Sequence, residues 1–377
     1  MVLIPKINAH YGFKNFLKGI KSIFSKQNPS TENDTYYLNH ARTGIRIAIS
    51  SLQLPGGSKV AMSMYNCYTV MNAVKQAGYG IVFIETNDEF KLDIDDLKKK
   101  KDDFQALIVT HLYGIPNDLP EIKKNCLDIP IIEDCAHAFL SSSKQYKTGT
   151  LGDLAIFSLG LGKFPSIGEG GILTVNNKIY DEKVKVEYGK LRNYTFFEEI
   201  KLIINNFITS VVHIPIIYKW ISLPLKKKKQ KTQNIGTYYK HAEKLISKSS
   251  FSQFKNDERN FERYKKIQQK NTERILVNIT AKEIHLPFID VVNNNCFMLP
   301  ILTEDRDSFS MKLKDCRVEI ASHFARSIEW AEEFGYIQGN CPNAENIAKT
   351  NLIVPIHYNI KDKEIAKLTI YLKKINN

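Results

Sequence analysis

The sequence predicts an α/β protein: a large layered domain with a mostly parallel sheet between helices, followed by a smaller α+β domain at the C-terminal end. Three observations predict it. Between residues 40 and 180, short apolar runs alternate with segments of helical spacing, which is the βαβ rhythm of a parallel sheet. One of these runs, "IPIIEDCAHAF", passes directly from an apolar strand into polar residues, as strands do at the edge where parallel sheets bind ligands. The 377 residues, 43% of them hydrophobic, suffice for about two domains with a sizeable core.

In chain order, residues 1–35 form a basic amphipathic segment. "GFKNFLKGIKSIFSK" places Phe13, Phe16, Leu17, Ile20 and Phe24 on one helical face, with Lys14, Lys18, Lys21 and Lys26 elsewhere. Residues 36–195 carry the α/β rhythm. "TGIRIAISSL" is helical, "SKVAMSM" a strand, "TVMNAVKQAG" a helix, "GIVFIET" a strand and "DIDDLKKKKD" a polar helix. "FQALIVTHLYG", "PNDLPEIKKNC" and "IPIIEDCAHAF" continue it as strand, helix and strand. Residues 196–275 are rich in Lys, Asn and aromatics and read as helical. Ile203, Ile204, Phe207, Ile208, Val211 and Val212 alternate in pairs with polar residues, and the segment runs through Tyr218 and Trp220 to Lys226–Lys229. It is too polar and too short to span a bilayer. In residues 276–377, strand-like "CFMLPILT", "RVEIASHF" and "NLIVPIHY" intersperse with helical "IAKLTIYLKK".

The formal net charge of +13 favours an anionic partner and by itself does not choose among nucleic acid, a membrane surface and a phosphorylated small molecule. Six cysteines without CxxC spacing form neither a zinc site nor the framework of a small secreted chain. The N-terminus has no apolar signal-peptide core, so a cytoplasmic protein is expected. The two amphipathic segments, residues 12–26 and 198–229, have the pattern of interfacial helices that contact an anionic membrane surface peripherally. The alternative is that they pack on each other or on a partner subunit.

Lys163 stands in "FSLGLGKFPSIGEGG", Phe157 to Gly171, among glycines and apolar side chains, where a charge costs free energy unless it is paired, neutralised or chemically used. A phosphate-binding Walker loop would need Gly at 157 and Ser or Thr at 164, where the chain has Phe157 and Phe164, and "GLGKFP" lacks the last glycine of a dinucleotide fingerprint. Desolvation instead favours the neutral amine of a lysine and makes it a nucleophile, as Schiff-base chemistry requires. A pyridoxal phosphate would further need a carboxylate for its ring nitrogen and donors for its phosphate. Asp134, at the end of an apolar strand, is the candidate carboxylate. Thr43 and Gly44, opening the helix of "ARTGIRIAI", together with Ser158, are candidates for the phosphate.

The run "EDCAHA … GTLGDLAIFSLGLGKFPSIGEGG", with "HLYGIPND", "VKQAGYGIVFIET" and "CPNAENIAKTNLIVPIH", resembles the DegT/DnrJ/StrS family of pyridoxal-phosphate enzymes, mostly sugar aminotransferases of fold type I. The resemblance implies that Lys163 binds the cofactor covalently, that Asp134 pairs with its ring nitrogen, and that His137 lies near its 3-hydroxyl. By the same match Thr43, Gly44 and Ser158 hold the phosphate. The position of the aromatic ring that covers the cofactor in many relatives is occupied here by Cys67, with Tyr65 and Tyr68 as neighbours. The Asn-Tyr-Arg loop that many relatives extend to a partner subunit is not found in "LRNYTFFEEIKLIINNF". Sugar dehydratases of the family replace the lysine with histidine, so Lys163 argues against that chemistry. The implied function is transamination of a keto-sugar, nucleotide-linked, by an amino-acid donor such as glutamate, in polysaccharide synthesis, within a homodimer and without nucleic acid. The rival readings are a catalytically silent, membrane-associated relative and a pyridoxal-phosphate enzyme with another reaction outcome.

Overall fold

The computed structural model describes residues 4–375 apart from 8, 10, 26–30, 33, 219, 222–242, 280–283 and 313–317. Lys26 and the Lys226–Lys229 run therefore lie outside the described residues. Seven strands, β1 (Thr35–Leu38), β2 (Lys59–Ser63), β3 (Gly80–Ile84), β4 (Ala106–Thr110), β5 (Ile131–Asp134), β6 (Leu154–Ser158) and β7 (Gly171–Val175), build one sheet in the order β1-β7-β6-β5-β4-β2-β3. The pairs β2–β3, β2–β4, β4–β5 and β5–β6 are parallel, and β7 is antiparallel to both its neighbours. β4 is buried throughout, as an apolar strand covered on both faces must be.

The alternation of side chains across the strands separates two apolar clusters. On one face Met62, Ile108, Ile132 and Ile156 pack with Ile45 and Ile49 of α2 (Ala41–Leu52) and Val70 and Val74 of α3 (Tyr68–Gln76). On the other, Ala61, Leu107, Val109 and Ile131 meet Leu97 of α4 (Ile94–Lys100) and Leu119 and Ile122 of α5 (Leu119–Asn125). α4 begins where Asp93 caps it by accepting from Asp96 N at 2.8 Å, and α5 where Asp118 accepts from Glu121 N at 3.1 Å.

A second, antiparallel sheet has the order β10-β9-β8, from β8 (Ile284–His285), β9 (Met298–Thr303) and β10 (Asn351–Pro355). Leu299, Ile301, Leu352 and Val354 pack there with Ile275 of α9 (Phe261–Leu276) and Ile365 and Leu368 of α13 (Asp362–Ile375). "RVEIASHF" departs from its expected strand. Among its described residues only isolated bridges pair it with other segments, Val318 with Ile4 and Ala321 with Ile353, and Phe324 adopts φ 50°. The chain turns there to deliver His323 to the large sheet.

β5 ends in two adjacent carboxylates that its pleat sends to opposite faces. Glu133, fully buried, accepts from Gly149 N (2.7 Å), Leu151 N (2.7 Å) and Gly152 N (2.6 Å) and is 3.0 Å from His111 Nε2. Burial pushes its carboxyl up, but His111 and these N–H groups outweigh it and hold the group below its ordinary value. His111 Nδ1 accepts from Asn117 N at 3.1 Å, so Nε2 carries the proton given to Glu133. Glu133→Ala orphans these donors and is expected to destabilise the protein by about 3–5 kcal/mol, read from the urea unfolding midpoint. A loss below about 1 kcal/mol would show that the 149–152 turn holds itself.

Candidate active site

The other carboxylate, Asp134, is 2% exposed and lies at the C-terminal edge of the parallel strands, in register with Thr110 of β4. Its Oδ1 accepts from Ala136 N at 3.0 Å and its Oδ2 from Thr110 Oγ1 at 3.2 Å; Thr110 Oγ1 accepts in turn from Asn66 Nδ2 at 2.9 Å. Burial pushes the Asp134 carboxyl above its ordinary value, and Ala136 N and Lys163 oppose that rise.

Lys163 belongs to the extension joining β6 to β7. Backbone bonds Leu159 N to Gly170 O (3.0 Å), Ile167 N to Leu159 O (3.0 Å) and Leu161 N to Gly168 O (3.1 Å) fold this extension over the strand ends. Lys163 Nζ lies 2.6 Å from His137 Nε2. Desolvation lowers the amine's pKa, while Cys67 and Asp134 raise it by less. Burial, with Lys163 and His323 nearby, holds His137 well below the usual imidazole range, so its ring is neutral. His137 Nδ1 accepts from Tyr113 N at 3.3 Å, which leaves the proton on Nε2, pointing at Nζ. A neutral imidazole thus points its Nε2–H at an amine whose pKa burial lowers.

The N-terminus of α2 meets the same edge. Ser158 pairs with Gly171 across β6 and β7, and a Cβ on Gly171 would lie 2.5 Å from Ala41 N, so only glycine lets the first turn of α2 approach so closely. The start of α2 is therefore brought beside the strand pair that carries Ser158, and a helix N-terminus with a hydroxyl nearby is the donor set a phosphate needs. Within that turn Thr43 Oγ1 donates to Asn39 Oδ1 at 3.0 Å, and Gly44 N bonds His40 O at 3.4 Å. A Cβ on Gly44 would come within 3.0 Å of Leu38 Cδ1, so this glycine serves the packing of helix on sheet.

Tyr65 lies behind the site. Its hydroxyl donates to His323 O (2.6 Å) and lies 2.9 Å from that of Tyr113, and Asn351 Nδ2 donates to both, at 2.6 and 2.7 Å. Tyr113 OH is 3.1 Å from His323 Nδ1, and the His323 and Phe324 rings stack at 3.9 Å. Cys67 caps α3 with its thiol 3.1 Å from Thr69 Oγ1. Tyr68 packs away from the lysine, on Trp330 and Phe334. Among the candidates the structure brings together Lys163, His137, Asp134 and Cys67, with Ser158 at the α2 turn. Sequence reasoning missed Asn351 and Asn295, whose Nδ2 donates to His137 O at 2.9 Å; neither carries a local signal, because both contacts cross between the two sheets. Tyr113 sits inside "HLYG" but is distinguished only by its φ of 55°.

The residues fit pyridoxal phosphate: a buried amine whose pKa is lowered, a buried carboxylate with accepting capacity left for a ring N–H, and a helix N-terminus beside the strand pair that carries a hydroxyl. The model of the DegT/DnrJ/EryC1/StrS aminotransferase family matches residues 36–372. A GDP-perosamine synthase of Escherichia coli O157:H7 is 28% identical over 172 residues, 44% of this chain, and the match spans about half of that protein (47%). An uncharacterized protein of Methanocaldococcus jannaschii is 24% identical over 349 residues, 90% of this chain and 84% of its own. Among solved structures, DesV of S. venezuelae superposes with a TM-score of 0.76 at 17% identity over 100% of this chain and 99% of its own, a likeness of fold.

Glu169, in the glycine turn after the lysine, has a buried Oε1 without a hydrogen-bond partner among the described residues. Burial pushes its carboxyl up to about 7; Lys244 and Arg42 oppose the rise, and Glu199 and Glu198 add to it. Between the unfolded value of about 4.3 and 7 the native state therefore binds more protons than the unfolded chain, so this group's contribution to stability falls as pH rises through that window. Glu169→Gln is expected to match the parent near pH 5 and to be more stable by about 1–3 kcal/mol at pH 8, measured by urea unfolding at both values. Equal stability at pH 8 would contradict the buried carboxylate.

Proposed function

The chain belongs to the DegT/DnrJ/EryC1/StrS aminotransferase family, and from that membership we propose that it transfers an amino group from glutamate to a nucleotide-linked keto-sugar in glycan synthesis, with pyridoxal phosphate as cofactor. The observation that carries the reading is the buried Lys163 amine held 2.6 Å from His137 beside the buried Asp134. The enzyme works in the cytoplasm as a homodimer.

When bound, the cofactor supplies an electron sink that stabilises negative charge on the donor's α-carbon. Lys163, whose pKa burial lowers, would be the nucleophile that holds the cofactor and, once displaced by the donor, the base that takes and returns a proton at Nζ. His137 orients that amine through Nε2–H, its tautomer set by Tyr113 N–H. Asp134 would face the ring nitrogen and favour its protonated form, with Thr110 and Ala136 N fixing its two oxygens for that task. Ser158 and the α2 N-terminus would hold the phosphate.

Absorbance spectra with pyridoxal phosphate, before and after glutamate, test the reading. The parent is expected to develop the visible band of a lysine-bound cofactor and lose it on adding glutamate, whereas Lys163→Ala shows neither change. Asp134→Asn is expected to form the band and slow its loss by about 10²- to 10⁴-fold. A parent without a band would favour the catalytically silent relative.

A further inference from the structure

α1 (Phe13–Ile23) packs inside out. The edge it buries holds Gly19 and Ser22, its smallest residues. A Cβ on Gly19 would lie 2.5 Å from Tyr11 Oη and 3.2 Å from Ile203, so glycine allows α1 to lie directly on α7 (Phe196–Val212). Asn15 and Gly19 also line a shallow cleft with Ser249, Ser252 and Gln253 of α8 (Lys248–Asp257), a polar surface. Phe13, Leu17 and Phe24 are left outward, 64%, 52% and 74% exposed, while Phe16 packs against Phe207. An amphipathic helix that serves only its own core does the opposite.

α7 continues this outward face. Phe16 and Phe207 rings lie 5.0 Å apart and Phe24 and Phe196 6.2 Å apart, so the two helices run antiparallel, side by side. Phe197 is 80% exposed, and Ile204 and Ile208 are exposed along the same helix. The raft is held from within: Tyr11 N donates to Ser210 Oγ at 2.9 Å, and Lys248 Nζ donates to Ser25 O at 3.0 Å.

Charge is sorted in the same sense. Lys14, Lys18 and Lys21 follow the edge of α1 beside the apolar one, and Lys201 is exposed on α7; among the described residues none of the four makes an ion pair. The acids of α7 are already matched: Glu198 with Arg192 and Lys244, and Glu199, buried, with Lys248 N and Ser249 Oγ. What faces out is apolar side chains rimmed by cations, complementary to an anionic lipid surface. No helix among the described residues is long and apolar enough to cross a membrane, so the contact is one of lying in the interface.

We propose that the α1–α7 face is a peripheral membrane-docking surface for anionic phospholipid, inserting Phe13, Leu17, Phe24, Phe197, Ile204 and Ile208 while Lys14, Lys18, Lys21 and Lys201 meet the headgroups. The inner edge of α7 touches the lysine-bearing extension, since a Cβ on Gly168 would collide with Asn206, so docking sets the active site about one helix diameter from the bilayer. The proposal stands independently of the transamination reading.

Flotation of the full chain with phosphatidylcholine vesicles, with and without phosphatidylglycerol, tests it. Binding is expected only with phosphatidylglycerol and should fall steeply with added salt. Leu17→Glu/Phe197→Glu/Ile208→Glu, all at exposed positions, is expected to weaken binding at least tenfold with an unchanged unfolding midpoint. Lys14→Gln/Lys18→Gln/Lys21→Gln should lower both the affinity and its salt dependence. No flotation of the intact chain at low salt, or flotation indifferent to both triple variants, overturns the proposal. So does self-association of the parent, by light scattering, that the Glu variant abolishes while vesicles bind neither protein; the face would then be an interface between two copies.

Discussion

The active edge of the sheet depends on the buried carboxylate of Glu133. A single carboxylate satisfies three backbone N–H groups of the 149–152 turn and accepts a hydrogen bond from His111, tying the end of β5 to β4 and to the entry of β6. An uncompensated charge at this depth would be strongly destabilising; with four donors its charge is stabilised, and its pKa falls. Because neighbouring residues of a strand face opposite ways, the bonds that hold Glu133 on one face also fix Asp134 on the other.

On that other face burial acts without such compensation. Asp134 has two donors rather than four and its pKa rises; Lys163 loses hydration and its pKa falls; His137 is held neutral. These three shifts share one cause, the removal of water by the extension between β6 and β7 and by His323 and Phe324 arriving from the second sheet. The second sheet therefore does more than cover the first. Asn351, the first residue of β10, joins Tyr65 and Tyr113 and so holds the wall behind His137.

The inserted helical segment answers a different physical demand. Its apolar periodicity and that of α1 are strong, and in most proteins such faces would meet each other across a core. Here the helices touch through a glycine and a few aromatic edges and present the remainder outward, while their acids are neutralised internally. The asymmetry between paired acids and outward lysines distinguishes this surface from an unfinished core.

The sequence by itself determined the layered α/β fold, because periods of 2 and 3.6 are written locally in runs such as "ALIVT" and "TGIRIAISSL". It also pointed to the candidate pair, Lys163 among glycines and Asp134 at a strand end, because a lone lysine in an apolar run and an apolar strand ending in acid are visible without tertiary contacts. Which of the adjacent carboxylates serves structure and which serves the site was decided by the sheet, since it depends on the face each meets. The tertiary structure also decided that "RVEIASHF" turns rather than pairs, that Gly44 serves packing, that Asn351 and Asn295 support the site, and which way the amphipathic helices face. Each of these depends on contacts between residues far apart in the chain, and a periodicity records that a helix has two faces without recording what lies against either.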